Sequence, residues 1–396
     1  MAEAYLANLP AELLYRIFHY CDARTIFRNI GSVCKRLRAV VSQYKQIELE
    51  FNWLTTRDIK QNFRVVPLDA VHSLVLSFDY VTTAENQMRT LLADIPQLEH
   101  LRKLSLLAIS DEHLQLFLEN LNYTQLVTLR IVLRDKATAR TVSLLAAMVV
   151  KCKHLQQISW TSLNHRIEHL ASFAGCKITH LTINSCLYSE YLAILHHFSS
   201  LRTLQLNTFV VDTDAMHVVS SPLRYLIIHE CSLSTEHLRL LVSKLTALRH
   251  LKVTFRQKQF DSLVEISAWE TFVRTELTGL DRLEFFLSYT LASDEMVDLQ
   301  SLVLPFQEAF WLKKKRWFVA SEYNCNRSRV LSLFTIPNTY GAYHSDYYGL
   351  QHEILFKQES YYITAYSRRK LQSTAACDVS RHEDVSAKCS FLSSLE

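Results

Sequence analysis

The hexapeptide Leu201-Arg202-Thr203-Leu204-Gln205-Leu206 sets a pattern, L-x-x-L-x-L, that returns along most of the chain. Its last two leucines lie two residues apart, as a short strand with one buried face requires. The same apolar triplet occurs as Val71/Leu74/Leu76, Leu101/Leu104/Leu106, Leu126/Leu129/Ile131, Leu155/Ile158/Trp160, Ile178/Leu181/Ile183, Leu223/Leu226/Ile228, Leu248/Leu251/Val253 and Leu280/Leu283/Phe285. Successive copies are between 22 residues (Leu201 to Leu223) and 32 residues (Leu248 to Leu280) apart. Between copies the apolar spacing turns helical, as in Leu238, Leu241 and Leu245 or from Glu190 to Phe198. One strand and one helix per copy predict an α/β chain.

A single copy buries four or five apolar side chains, at about 1.5–3 kcal/mol each. Ordering two dozen residues costs about 1–2 kcal/mol per residue. No copy folds alone, so the copies must stack and share their cores. Residues alternating with the leucines then face outward: His180, Thr182 and Asn184; Thr203, Gln205 and Asn207; Tyr225, Ile227 and His229; His250, Lys252 and Thr254; Arg282 and Glu284. This surface is polar with isolated aromatic and aliphatic members, which suits recognition of a protein through a few anchors.

Cys186 and Cys231 stand three residues past the last aliphatic of their strands, while Ile109, Arg134, Leu163, Phe209 and Arg256 fill that slot elsewhere. The array therefore resembles a divergent leucine-rich repeat. That resemblance implies a curved solenoid whose outward residues line a concave face.

The amino terminus has a different period. In Leu9-Pro10-Ala11-Glu12-Leu13-Leu14-Tyr15-Arg16-Ile17-Phe18-His19-Tyr20-Cys21, Pro10 suits a first helical position. Leu13, Leu14, Ile17, Phe18 and Cys21 recur at helical spacing and predict one apolar stripe. A second pattern runs from Ile26 to Ile30, Gly31 and Ser32 interrupt it, and Val33, Leu37, Val40 and Val41 restart it. Three short helices are expected, and a cluster of about 40 residues buries too little surface to stand alone. Leu9-Pro10, Glu12-Leu13-Leu14, Ile17-Phe18 and Val33-Cys34-Lys35 resemble the F-box, with a softer Cys21 and Leu37 where the family carries larger apolar residues. The resemblance implies docking on a Skp-type adaptor, and through it on a cullin scaffold. Leu9, Pro10, Leu13, Leu14, Ile17, Phe18, Val33 and Cys34 would make the apolar contact, with Glu12 at its rim.

Composition narrows the remaining choices. Of 396 residues 49% are hydrophobic and 21% charged, the balance of a globular chain. Only 5 Gly are present, and no phosphate-cradling glycine loop can be found. The net charge of +4 is too small and dispersed to imply nucleic acid. No secretory leader or apolar run of membrane-spanning length is visible, so an intracellular location, cytoplasmic or nuclear, is expected. The 9 cysteines are scattered without a C-x-x-C pair, which indicates neither a disulfide framework nor a zinc ribbon.

Three patterns invite chemistry. His165-Arg166-Ile167-Glu168-His169 spells H-x-x-E-H, a metal-hydrolase arrangement when a carboxylate completes it, but its place between two repeat strands reads as a solvated helix. Trp311-Leu312-Lys313-Lys314-Lys315-Arg316-Trp317-Phe318 could stack bases and neutralise phosphates, yet such a run is usually a solvated helix end or edge strand. His344, Asp346 and His352 lack diagnostic metal spacing. From Leu291 to Leu371 the repeat gives way to a Tyr-, Phe- and Trp-rich segment with short strand-like runs, a cap for the last repeat or one wall of a target pocket.

The reading is an α/β protein with F-box helices at 1–50, a linker at 51–70, repeats at 71–290, a mixed aromatic-rich cap at 291–371 and a disordered tail at 372–396. It is not an enzyme and needs no cofactor. By resemblance it is the substrate-recognition subunit of a Skp/cullin/F-box ubiquitin ligase, binding a target protein through the repeat face. A repeat scaffold without a ligase role and a metal-dependent hydrolase at His165, Glu168 and His169 remain open.

Overall fold

The structure is a computed structural model that describes residues 6–52, 66–78, 98–121, 123–161, 176–210, 221–232, 235–243, 245–256, 264–290, 303–324, 330–336, 353–358 and 361–366, with 64, 92 and 173 as isolated positions. Its strands form one 14-stranded sheet. The first ten follow chain order: β1 Ile47–Asn52, β2 Val71–Ser77, β3 Lys103–Ile109, β4 Thr128–Leu133, β5 Gln157–Trp160, β6 His180–Leu187, β7 Thr203–Val210, β8 Tyr225–Cys231, β9 His250–Arg256 and β10 Arg282–Thr290. Each pairs in parallel with the next, and the leucine positions align: Leu181 faces Leu204, Leu204 faces Leu226, and Leu226 faces Leu251.

This register follows from the alternation of side chains. A slip of one residue would turn every leucine out to solvent. Leu204, Leu206, Leu226, Ile228, Leu251 and Val253 are all buried, and one continuous core runs from Leu14 to Leu333. Helices α1 Ala11–Phe18, α2 Gly31–Val33 and α3 Lys35–Gln43 precede the sheet. Helices α4 Asp111–Asn120, α5 Ala139–Lys151, α6 Tyr188–His197, α7 Thr235–Ser243 and α8 Val264–Thr275 lie between strands, as parallel connections require. Their caps are local: Ser110 Oγ accepts from the His113 N–H, Thr138 Oγ1 from the Thr141 N–H, and Glu190 Oε2 from the Leu187 N–H.

The sheet begins earlier than the leucine pattern suggests. Ile47, Leu49 and Phe51 are buried while Glu48 and Glu50 are exposed, so β1 occupies residues that the sequence reading divided between helices and linker. The far end changes direction. Strands β11 Phe318–Asn324, β12 Val330–Ile336, β13 Glu353–Gln358 and β14 Tyr361–Tyr366 extend the sheet in the order β10-β12-β11-β13-β14, every pair antiparallel. Thr335 Oγ1 accepts from the Phe285 N–H at 3.0 Å at this join.

Adjacent helices are tied by a polar cluster built on Asp111. Its carboxylate accepts from the Thr138 N–H at 3.0 Å, the Thr138 hydroxyl at 2.8 Å and Gln115 Nε2 at 2.9 Å; Gln115 Nε2 also reaches Thr141 Oγ1 at 2.9 Å. Burial pushes the Asp111 pKa up, but the hydrogen bonds from Thr141, Thr138 and Gln115 outweigh it and hold the carboxyl below its ordinary value of 3.8. The ionised form is thus favoured by folding. Its stabilisation is complete above the ordinary carboxylate range and is lost as pH falls from 3.8 toward the depressed folded value. Asp111→Ala should cost about 2 kcal/mol at pH 7, since it leaves buried donors unpaired. Urea unfolding of both proteins at pH 7 and pH 3 should show the gap between them narrowing in acid.

Candidate functional site

Two surfaces hold the residues singled out from the sequence. The first is the amino-terminal helical cluster. Leu14 and Phe18 on α1 turn inward to meet Ala23, Ile26, Leu37, Val41 and Tyr44, all buried. The Phe18 and Tyr44 rings meet edge-on with centroids 5.4 Å apart. Cys34 caps α3, its Sγ accepting from the Leu37 N–H, and Arg36 Nη2 donates to the Leu9 carbonyl at 2.9 Å, clasping the start of α1.

The stripe expected along α1 is therefore divided. Leu13 is 43% exposed and Val33 69% exposed, whereas Leu14 and Phe18 are 0% and 1% exposed. Pro10 and Glu12 are exposed, and Leu9, Ile17 and Cys34 are half-buried. Sequence reasoning put Leu14 and Phe18 in an outward apolar contact; they form the cluster's own interior. The reason is helical geometry, because adjacent residues 13 and 14 lie about 100° apart around the axis. Only tertiary packing decides which side is covered. Tyr20, 90% exposed, adds an apolar ring that the stripe did not include.

The second surface is the outward side of the sheet. The register aligns His180, Thr203, Tyr225, His250 and Arg282 in one row, and Thr182, Gln205, Ile227, Lys252 and Glu284 in the next. Side chains bridge strands across it: Asn207 Nδ2 donates to Asn184 Oδ1 at 3.0 Å, and Gln205 Nε2 lies 3.0 Å from His229 Nε2. Tyr225 stands edge-on to the His250 ring at 6.0 Å. Glu284, only 6% exposed at its side chain, sits 3.1 Å from His250 Nε2 and 3.5 Å from Lys252 Nζ, and also pairs with Arg282 Nε. Thr254 departs from expectation. It is buried, because Phe286 and Phe334 follow it at the same level and their rings stack 6.0 Å apart.

Of the basic run, Lys313–Lys315 close the helical turn Phe310–Lys315 and Arg316 caps it; Phe310 and Trp311 in that turn are buried, and so is Trp317 behind it. Trp317 Nε1 donates to the Asp281 carbonyl, and Lys315 Nζ to the Leu280 carbonyl at 2.5 Å. These aromatics fasten the turn to β10 and are not free to stack on bases. His165, Glu168, His169, His344, Asp346 and His352 lie outside the described residues. Among the described residues no group of three His, Cys, Asp or Glu could hold a metal ion, and no helix is long and apolar enough to cross a membrane.

The comparisons add one domain. The model of the family described as F-box-like matches residues 6–46, the span of α1 to α3. No curated protein matches the chain. Among solved structures, the crystal structure of a TLR13–ssRNA13 complex is similar with a TM-score of 0.24 and 11% identity, over 58% of this chain and 42% of that one. The chain spans less than half of that molecule, and nothing about its function follows from a likeness of this size.

Burial lowers the pKa of both His229 and His250; Lys252 adds to the effect on His229, and for His250 burial prevails over the pull of Glu284. Both rings are neutral at neutral pH. Because their folded pKa values lie below 6.5, the stability they hold is complete above pH 6.5 and is lost as pH falls through their depressed values. The melting temperature should fall by several degrees from pH 7.5 to 5, and His229→Gln with His250→Gln should remove a measurable part of that fall.

Proposed function

We propose that the chain is a substrate-recognition subunit of a Skp/cullin/F-box type ubiquitin ligase, with the amino-terminal helices on the adaptor and the outward sheet face on a target protein. The observation that carries this reading is the F-box-like domain at residues 6–46, whose folded cluster leaves Leu13, Val33 and Tyr20 exposed. Isolated apolar side chains of that size, next to half-buried Leu9, Ile17 and Cys34, form a surface that a partner would cover. The parallel ladder of β1 to β10 supports a leucine-rich-repeat solenoid spanning residues 71–290 behind it. Its ordered polar rows are suited to hold one target at a fixed distance from the adaptor.

The chain would perform no covalent step. Holding a target beside a ubiquitin-loaded enzyme raises effective concentration and turns an encounter into a nearly intramolecular transfer. A rigid connection improves that effect, and the continuous core from Leu14 into the sheet supplies one. Leu14 and Phe18 would act from beneath, fixing the helix that presents Leu13 and Ile17.

Co-expression with a Skp-type adaptor, followed by affinity purification and size-exclusion chromatography, tests the reading. The wild-type chain should form a one-to-one complex. Leu13→Asp with Val33→Asp should weaken it at least about 100-fold by placing two charges in a desolvated contact, with an unchanged circular dichroism spectrum. Leu14→Asp should instead unfold the helical cluster. A wild-type chain that is folded and unbound at micromolar adaptor would refute the proposal.

A further inference from the structure

The residue directly after the first apolar position of each L-x-x-L-x-L copy stands just ahead of its strand. The fold makes it a row of its own. The Arg202 N–H donates to the Thr179 carbonyl at 2.9 Å, the Arg224 N–H to the Arg202 carbonyl at 2.8 Å, the Arg249 N–H to the Arg224 carbonyl at 2.8 Å and the Asp281 N–H to the Arg249 carbonyl at 2.8 Å. Each arginine carbonyl also accepts the N–H of the residue after the next donor: Tyr225 on Arg202, His250 on Arg224 and Arg282 on Arg249. Three consecutive arginines are thereby chained at strand spacing, about 4.8 Å apart.

All three are exposed. Arg249 has an exposed ion pair with Asp281 at 3.8 Å and donates to the Gly279 carbonyl. Among the described residues neither Arg202 nor Arg224 has an ion pair. Like charges side by side on neighbouring strands destabilise a sheet, so the fold itself gains nothing from this arrangement. Tyr225, 44% exposed, follows Arg224 directly and sits between Thr203 and His250 in the adjoining row.

We propose that the exposed row Arg202, Arg224 and Arg249 binds an acidic segment of a protein partner through its Asp and Glu carboxylates. The dimensions fit. Three strands span about 10 Å, and an extended peptide places same-side residues about 6.8 Å apart, so two or three carboxylates meet the row. The guanidinium fork donates two parallel hydrogen bonds to a carboxylate. A nucleic acid would need a longer cationic track, whereas this row is closed by Asp281 on one side and on the other runs through three uncharged positions, Thr179, Gln156 and Val127, before reaching Arg102. The inference deepens the proposed role of the sheet in target recognition by naming the chemistry of the target.

Fluorescence anisotropy on the full chain tests it, with a labelled ten-residue peptide of alternating Glu and Tyr, and a labelled ten-nucleotide oligouridylate as the rival probe, both at 0.1 M salt. The peptide should bind more tightly than the RNA. Arg202→Glu, Arg224→Glu and Arg249→Glu together should weaken peptide binding at least about tenfold, Arg→Lys at the same positions should restore only part of it because lysine lacks the fork, and Arg140→Glu on α5 should change nothing. If the triple Glu variant loses its circular dichroism signal, the triple Gln variant takes its place with the same expected loss. Failure of the wild-type chain to bind the peptide, unchanged binding in the triple variant, or tighter binding of the RNA that the triple variant abolishes would each overturn the proposal. Adaptor capture, read separately, distinguishes the two ideas: peptide binding without adaptor binding removes the ligase reading and leaves the arginine row standing.

Discussion

Every strand from β1 to β10 depends on its neighbours for burial. A single strand and helix present too few apolar side chains to offset the entropy of ordering them, so the leucines of one copy complete the core of the next. The aligned rows of Leu181, Leu204, Leu226 and Leu251 are the visible form of that constraint. Stability is consequently a property of the row, and the outward side chains are carried along at fixed spacing whatever their chemistry. That separation of duties leaves one side of the sheet free to vary.

The ends of the row solve the same problem differently. At the beginning, the helical cluster shares one core with β1 and β2, so Leu14 and Phe18 are held by the body as well as by their own helices. At the far end, β10 accepts antiparallel β12, and the aromatic residues Phe306, Phe310, Trp311 and Trp317 pack against the last parallel strands. An edge strand left open would be a template for aggregation; four further strands in antiparallel order move that edge away from the parallel ladder. The Lys313–Arg316 run is part of this fastening, with Lys315 and Trp317 hydrogen-bonded to the backbone of Leu280 and Asp281.

The outward face is neither uniform nor fully available. Near β9 and β10 it is a closed network, with Glu284 surrounded by His250, Lys252 and Arg282, and Thr254 covered where Phe286 and Phe334 begin. Over β7 and β8 it is more open, with Tyr225 exposed, and the exposed Arg202 and Arg224 stand at the entrance to these strands. The amino-terminal surface is of another kind, apolar and small, and the two are joined by continuous packing.

Strand periodicity, the α/β class and the helical amino terminus are legible in the chain, because they depend on local alternation and on an apolar spacing that repeats many times, whereas the parallel pairing is seen only in the sheet. Ile47, Leu49 and Phe51 carry the same alternation, but without a leucine triplet three such residues resemble any short apolar run. What the tertiary structure alone decided was orientation and adjacency. Leu13 and Leu14 are equally apolar neighbours, and only packing against Ile26, Leu37 and Tyr44 puts one outside and the other inside. Arg202, Arg224 and Arg249 are separated by 22 and 25 residues in the chain; backbone hydrogen bonds between strands make them a single row. Periodicity is written in the chain, but which surfaces meet, and which charges are forced together, is fixed by contacts between residues far apart in it.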